Sequence, residues 1–491
     1  MIKGKLGRGA SSDAVLLMFI KLVTMVLGLT VTRLLSEYLS VHDYGTYAQI
    51  LLVVSTTANF TILGMMDGVN YFYSRESDTR KREKYISTIF CLQCGISTVA
   101  GAVILCLTNP LCAYFDNRDV AGLMIFAAAL PLLQNLLGMF QVLLVSVGKA
   151  RILAIRNLVV SVARLAVVMV VVWVVQNVAV VFLVTLLLDL IQILLFVWIL
   201  RKSNCKIRLG AADLRVFGEI FAYCAPMAVF TLVSSLNRDL DKYLIAWMTD
   251  TETLAVYTNA SKKLPFDVVV SSFTTVLIPQ ITRRIAQKEN AEASALYKAF
   301  LEIAYITTGI LCVTALCAAP QLMQLLYSQK YLHGVGVFAV YILVDMLLFT
   351  NITLILSAAG KTRTLMVLGV SALAVNAGLN MALYHWLGMI GPAIATLAVT
   401  GITGLVMLQL NARTLQTRLR DLFALPGLAL FAAECGAVFL GATVLRKWLE
   451  QRLDNYFPVL MIVGAFAGGF MVLLQGKRIL KAMKTVNRIT K

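Results

Sequence analysis

Long apolar runs recur from one end of the chain to the other, separated by short polar or basic connections. A helix needs about 20 predominantly apolar residues to cross the hydrocarbon layer of a bilayer. Fourteen runs meet this requirement, at residues 14–35, 47–66, 86–108, 120–146, 152–174, 178–200, 218–247, 255–281, 299–319, 335–357, 364–386, 389–411, 425–445 and 457–475. The pattern therefore predicts an all-α polytopic membrane protein with 14 transmembrane helices.

The basic residues of the connections fall mainly on one side of this arrangement. Alternate connections carry 30 Lys and Arg on the side of the N terminus and 5 on the opposite side. Because cytoplasmic loops of membrane proteins are enriched in Lys and Arg, both termini are predicted to be cytoplasmic. All five Trp lie near predicted span ends, where aromatic residues favour the membrane interface.

The composition agrees with a membrane protein and excludes several other classes. Hydrophobic residues make up 59% of the chain and charged residues 14%, against about 25% in a soluble domain. The net charge of +18 is dispersed over the connections, where it can meet anionic lipid headgroups, so a nucleic-acid partner is not predicted. Cys91 and Cys94 lack a second Cys pair, and the three His offer no ligand spacing, so neither a metal site nor an enzyme is expected.

Weak internal matches occur at an offset of about 210 residues. The segment 148–153 matches 360–365, both between the fourth and fifth helices of a half, and Tyr47 matches Tyr257 in corresponding turns. Six helices per half give the two halves the same orientation, which defines parallel repeats. Short matches also arise by chance in apolar sequence, but several in the same order favour a duplication.

The repeat divides the chain into three predicted parts. Residues 1–210 form an N-lobe of six helices, residues 211–420 a C-lobe of six helices, and residues 421–491 two further helices with a basic cytoplasmic tail. Two facing lobes are typical of transporters, because a cleft between them can open alternately to each side of the membrane.

Charged residues within the spans are the candidate functional residues. Each costs roughly 2.5 to 3.5 kcal/mol at the centre of a helix, so such residues usually face a cavity or a partner. In the seventh span, Arg238 and Asp241 or Lys242 recur on one helical face. In the eighth, Lys263 follows a similar face, and Pro265 should interrupt the helix. The basic surplus suits an anion such as a pyrophosphate, and the candidate ligands are Arg33, Arg164, Arg238, Lys242, Lys262 and Lys263.

Other interpretations of these charges remain open. Arg33 and Lys242 could extend to the outer headgroups, and Arg156 is expected to extend to the cytoplasmic ones. Arg164 and Asp189 lie at similar depth in consecutive helices and could neutralise each other.

The acidic residues of the spans offer candidates for ion coupling. Asp345 lies mid-helix without an obvious local partner and is the first candidate for a titrating carboxylate, with Asp241 as the second. Glu434 belongs to the last two helices and is expected to be structural. No cofactor is predicted, because the fragment 360–362 lacks the first glycine of a phosphate-binding loop and does not follow a strand.

Several segments resemble the polysaccharide (O-antigen type) flippases of the multidrug/oligosaccharidyl-lipid/polysaccharide exporter superfamily. They are Arg33-Leu34-Leu35 through Tyr44-Gly45-Thr46-Tyr47, Asp241-Lys242-Tyr243-Leu244, Tyr257 through Lys262-Lys263-Leu264, and Val276-Leu277-Ile278-Pro279-Gln280. The resemblance covers nearly the whole chain, but its motifs are diffuse and indicate the superfamily better than the substrate.

The resemblance implies translocation of a polyprenyl-pyrophosphate-linked oligosaccharide across the bacterial cytoplasmic (inner) membrane by alternating access, for surface polysaccharide biosynthesis. It also implies a cavity lined by basic residues of the first, seventh and eighth helices, here Arg33, Arg238, Lys242, Lys262 and Lys263. The expected partners are the lipid-linked glycan, membrane lipids, a glycan polymerase and other assembly proteins. Coupling to a proton or sodium gradient would use Asp345 or Asp241.

Four alternatives stay open from the sequence. A flippase for the lipid-linked peptidoglycan precursor would share the topology and the cationic cavity. A cation-coupled multidrug antiporter should have twelve helices and an acidic interior. A structural membrane protein would have all its intramembrane charges paired or at headgroups, and a scramblase would need no coupling.

Overall fold

The computed structural model of the protein describes residues 9–76, 78–147, 149–201, 207–267, 270, 281, 284–285, 287, 289–351, 355–356, 359, 361–423 and 425–490. Helices account for nearly all of these residues, and no strand occurs among them. The fold class predicted from the apolar runs is therefore confirmed as all-helical. The motif at 276–280 and the repeat glycines at 148 and 360 lie outside the described residues.

The chain divides into two compact units, of which the first comprises Met1–Asp239 and Ile245–Ala255. Its helices are α1 Gly9–Tyr38, α2 Val41–Thr61, α3 Met65–Arg75, α4 Thr79–Cys106, α5 Thr108–Phe115, α6 Val120–Ser146, α7 Ala150–Val174, α8 Val178–Arg201 and most of α9 Phe217–Met248. Two 3₁₀ turns, Leu209–Ala211 and Leu214–Val216, lie between α8 and α9.

The second unit comprises Leu240–Leu244 and Val256–Lys491. It contains the end of α10 Thr251–Ala260, followed by α11 Asn290–Cys317, α12 Ala319–Tyr327, α13 Val335–Leu347, α14 Thr362–Leu387, α15 Ile390–Thr414, α16 Leu419–Leu422, α17 Leu425–Glu450 and α18 Tyr456–Thr490. The predicted division into residues 1–210, 211–420 and 421–491 stays a prediction.

Ten helices in the described part of the chain are long and apolar enough to cross a membrane. The pair Val41–Thr61 and Met65–Tyr73, bent by 43° at a short break, makes an eleventh if it forms one span. These correspond to all predicted spans except the first, seventh and eighth, which carry most of the intramembrane charges. The protein is thus a multi-pass membrane protein, whereas the count of 14 and the side of the termini stay predictions.

Short polar residues begin several helices. Ser40 Oγ accepts the N–H of Asp43 at the start of α2 (3.0 Å), and Asp78 Oδ1 accepts the N–H of Arg80 at the start of α4 (2.9 Å). Such side chains satisfy N–H groups that have no partner within the helix.

The core of the first unit lies between α3, α4, α6 and α8. Phe140 of α6 contacts Phe90 of α4 at 4.8 Å and Phe196 of α8 at 5.7 Å between ring centroids. Gly101 of α4 lies against the backbone of Ala128 in α6, where a larger residue would collide. Small residues allow this close approach, on which helix association within lipid depends.

The core of the second unit joins α11 to the last two long helices, α17 and α18. A polar network accompanies it. Arg478 Nη2 donates to Tyr305 Oη (2.8 Å) and lies 3.6 Å from Glu302, while its Nη1 donates to Gln475, which in turn donates to Glu434. Glu434, expected to be structural, lies within this network.

Candidate functional site

A break in the predicted eighth span exposes two lysines in the second unit. Helix α10 ends at Ala260, residues 262–264 are not helical, and a 3₁₀ turn follows at Pro265–Asp267. The interruption predicted at Pro265 is therefore confirmed, because proline lacks an N–H and disfavours helical geometry in the preceding residue. Lys262 and Lys263 lie at this break, and both are exposed.

The carboxylate of Asp345 holds the backbone at this break. Asp345 lies on α13 and is only 7% exposed, and its Oδ2 accepts the N–H of Leu264 at 3.1 Å. The partner of Asp345 is not local: the N–H of Leu264 lies 81 positions away in the chain, in the non-helical segment that follows α10. Asp345 thus fixes the peptide that directly follows Lys263.

A second buried carboxylate, Asp241, connects α9 to α10. It is 2% exposed, and its Oδ2 accepts the hydroxyl of Tyr257 at 2.8 Å. The Tyr257 oxygen lies 3.3 Å from that of Tyr341 on α13. Sequence reasoning singled out Tyr257 through the repeat and the family resemblance, but it missed Tyr341, which has no motif to mark it. Contacts among these three side chains join α9, α10 and α13 near the lysines.

Lys242 adds a third cation to this region of the second unit. It follows Asp241 in α9 and lies close enough to Lys262 for their charges to repel each other. Like charges near one another are destabilising unless an anion or a carboxylate compensates them. The second unit therefore brings together five of the predicted residues, namely Asp241, Lys242, Lys262, Lys263 and Asp345.

The predicted residues of the first unit have local partners. Arg33 forms an ion pair of 2.7 Å with Glu37, one helical turn later, a partner that sequence reasoning did not name. Arg238 is exposed, and its Nη2 donates to Ser235 Oγ at 3.3 Å. Neither arrangement prevents contact with an anion, because both side chains keep part of their surface accessible.

Arg156 does not extend to the headgroups, and that expectation is wrong. It is 9% exposed, donates to Gln192 and lies 4.4 Å from the centre of the Phe196 ring. Gln192 donates in turn to Asp189 at 3.0 Å. This amide bridge is favourable because a buried guanidinium requires hydrogen bonds as well as a counter-charge.

Arg164 is exposed on α7 and interacts electrostatically with the buried carboxylate of Asp189. Arg164 and Asp189 are therefore close enough to interact, as the interpretation that they neutralise each other requires. Because Arg156 interacts with the same carboxylate, Asp189 compensates only one of two positive charges. Arg164 can therefore still attract an anion.

Sequence reasoning missed buried polar side chains on α14 and on α15, two helices that pack against each other. Asn376 and Asn380, one turn apart on α14, are 3% and 0% exposed, and Thr396 lies on α15. Asn376 Oδ1, both polar atoms of the Asn380 side chain and Thr396 Oγ1 have no hydrogen-bond partner in the described part of the chain. Such orphaned buried atoms call for a ligand or water. Asn376 and Asn380 are four residues apart, a spacing that places both on one face of a helix and could have been recognised in the sequence.

Comparison with known proteins supplies the family and the fold. A family described as "Polysaccharide biosynthesis protein" matches residues 31–336. A search among curated protein sequences returns no significant match.

Several solved structures have the same fold at low sequence identity. The lipid II flippase MurJ in its inward closed conformation aligns with a TM-score of 0.71 and 14% identity, covering 95% of this chain and all of that one (100%). An inward-facing multidrug resistance MATE family transporter of the MOP superfamily gives 0.65 and 12% identity, covering 80% and 94%. The Vibrio cholerae MATE transporter VcmN in the bent form gives 0.53 and 12%, covering 84% and 98%. With more than half of its length matched, this chain belongs to the polysaccharide biosynthesis protein family and has the fold shared by these transporters.

Proposed function

We propose that the protein is a flippase that moves an oligosaccharide linked to polyprenyl pyrophosphate across the bacterial inner membrane. It would act in surface polysaccharide biosynthesis, as a transporter and not an enzyme. The membership of the polysaccharide biosynthesis family supports the glycan part of this proposal. The observation that carries it is the pair of exposed lysines at the helix break, fixed by Asp345.

A pyrophosphate is the part of such a substrate that the second unit would bind. Lys262 and Lys263 are adjacent in the chain, and Lys242 interacts electrostatically with Lys262, so these three lysines are the proposed ligands. Ammonium groups bind phosphate oxygens through short, charge-assisted hydrogen bonds. Arg33, Arg164 and Arg238 are the proposed contributors from the first unit.

Alternating access of two six-helix lobes, with cytoplasmic termini and 14 spans, is the proposed mechanism. The prenyl tail would stay in lipid while the sugars cross in a polar environment. The lipid-linked glycan and membrane lipids are then direct partners, and a glycan polymerase and other assembly proteins would act on the exported product.

Coupling to a proton or sodium gradient is part of the proposal. Asp241 and Asp345 are buried carboxylates next to the lysines, and a change in their charge would alter the hydrogen bonds of Tyr257 and Leu264. The unpaired oxygens of Asn376, Asn380 and Thr396 are the kind of ligand that a hard cation such as sodium prefers. Sodium coupling predicts export that is driven by a sodium gradient in vesicles and is lost in Asn380→Leu. Proton coupling through the carboxylates predicts export that is driven only by a pH gradient.

The second candidate function is a flippase for the lipid-linked peptidoglycan precursor, favoured by the fold shared with the lipid II flippase MurJ. A cation-coupled multidrug antiporter is the third, and the basic residues at the break argue against cationic cargo. Two complementation tests distinguish the first two candidate functions. One uses cells that lack their own O-antigen flippase, and the other uses cells depleted of their lipid II flippase. We expect this protein to restore growth of surface glycan chains in the former and not viability in the latter.

Lysine and arginine replacements test the site itself. Lys262→Ala and Arg238→Ala should abolish glycan export, whereas Lys262→Arg, which keeps the charge, should retain part of it. Lys447→Ala removes an exposed lysine near the end of α17 and is the matched control. All variants should reach the membrane in equal amounts. Full export by both alanine variants would remove the basis for the proposed site, and a periplasmic signal from a reporter fused within residues 201–217 would overturn the topology.

A further inference from the structure

Helix α4 has one face that no other described helix covers. Ile86, Ile89, Phe90 and Ile104 point into the core of the first unit. The opposite stripe forms a shallow groove of about 470 Å³, lined by Thr88, Cys91, Leu92, Gly95, Val99 and Ala212. These positions on α4 recur at helical spacing, and the groove is almost wholly apolar.

The connection between α8 and α9 docks at one end of this groove. Ser87 Oγ accepts the N–H of Arg208 at 3.1 Å, and Thr88 Oγ1 accepts the N–H of Asp213 at 3.0 Å. Lys84 of α4 pairs with the carboxylate of Asp213 at 2.5 Å. Residues 207–216 are therefore held against α4 at the point where the groove begins.

The charge at this end of the groove is positive. Asp213 is the one acidic residue of the segment 207–216, and the hydrogen bond from Lys84 holds its pKa below the ordinary range. Its charge is thus compensated by Lys84. Arg208 and Arg215, on either side of it, are exposed. Arg80 and Lys81 at the start of α4 add to the same positive potential.

We propose that this groove is a binding site for one anionic phospholipid of the cytoplasmic leaflet. Its phosphate would contact Arg208 and Arg215, and one acyl chain would lie along α4 from Thr88 to Val99. The predicted orientation places this end of α4 in the cytoplasm, where anionic lipids attract basic segments. The inference does not depend on the transported substrate, but it does depend on that orientation.

The length of the groove favours a phospholipid over a longer chain. From Thr88 to Val99 the helix rises about 17 Å, at 1.5 Å per residue, and one leaflet contributes about half of a 30 Å hydrocarbon core. The groove begins about 6 Å below Lys84, four residues along the helix, so the basic residues lie at headgroup level. A polyprenyl chain would extend well beyond both ends.

Native mass spectrometry of the full-length protein in detergent, titrated with phosphatidylglycerol or phosphatidylcholine, tests this site. We expect wild type to bind one phosphatidylglycerol at least 10-fold more tightly than phosphatidylcholine. The double variant Arg208→Ala/Arg215→Ala should lose about 10- to 30-fold in affinity for phosphatidylglycerol only, since each basic residue near the surface contributes about one tenfold step or less. Gly95→Leu should weaken both lipids, because its side chain would fill a groove where nothing lies within 4 Å.

Matched controls come from the same chain. Arg418→Ala/Arg420→Ala removes two exposed arginines of another connection, and Gly378→Leu adds the same bulk to α14, where an added Cβ also meets nothing within 4 Å. Both controls should bind lipid as wild type does. Equal affinity of wild type for the two lipids, or equal losses in both arginine pairs, would overturn the proposal. Preferential binding of a polyprenyl phosphate over phosphatidylglycerol, with that binding lost in Gly95→Leu, would also overturn the proposal. If Gly95→Leu fails to fold, the comparison of phosphatidylglycerol affinity between the two double arginine variants is sufficient to test the proposal.

Discussion

Replacing Asp345 separates a positioning role from a titrating role at the helix break. Its carboxylate accepts the N–H of Leu264, and both residues are buried, at 7% and 5% exposure. Asp345→Leu removes the acceptor and leaves that N–H without a partner. Asp345→Asn keeps a carbonyl oxygen of the same reach while it removes the negative charge and the ability to release a proton.

The size of the effect follows from the hydrogen bond that is lost. A hydrogen bond to a charged acceptor contributes about 1.5 to 3 kcal/mol, and a buried N–H without a partner costs a similar amount. At about 1.4 kcal/mol per tenfold step, the fraction of molecules with the lysines held in place should fall about 10- to 100-fold in Asp345→Leu. A neutral acceptor is about half as strong, so Asp345→Asn should lose about 3- to 10-fold.

The assay is the initial rate of glycan export in cells that lack their own flippase, at matched protein levels. Met346→Leu, a change of similar volume beside Asp345, is the control and should export normally. If Asp345 acts by positioning, Asn should export several-fold faster than Leu. If it acts by titration, both should be equally inactive. Export at the wild-type rate by Asp345→Leu would refute the importance of this hydrogen bond altogether.

Two further predictions concern helix packing and the connection between α8 and α9. Gly101→Ala places a Cβ 2.6 Å from the Ala128 carbonyl oxygen, so α4 and α6 must separate and the protein should lose about 1 to 3 kcal/mol of stability, seen as a lower Tm in detergent. Gly95→Ala on the same helix meets nothing within 4 Å and should not lower the Tm; equal losses would contradict the packing argument. Lys84→Ala removes the hydrogen bond that lowers the pKa of Asp213, so proteolysis within residues 207–216 should be faster than in wild type at pH 7. This difference should disappear as the pH falls through that lowered pKa, because a protonated Asp213 no longer attracts Lys84; a difference that persists in acid would exclude the ion pair as its cause.

The sequence alone determined the helical class, most span positions and the break at Pro265, because each follows from local physics. About 20 apolar residues must form a helix in lipid, and proline cannot continue one. The same reasoning identified the charges at Arg33, Arg238 and Lys262 as costly in the membrane.

Tertiary structure alone decided the partners of Asp345, Tyr257 and Arg156. Asp345 pairs with a backbone N–H 81 positions away in the chain, and Tyr341 lies 84 positions from Tyr257, so no local pattern could connect them. The expectation that Arg156 reaches the headgroups was wrong, because it considered only the position of Arg156 along α7. Gln192 and Phe196 of α8 contact its side chain. Spacing along a helix fixes which residues share a face, but only the packing of other helices determines what that face contacts.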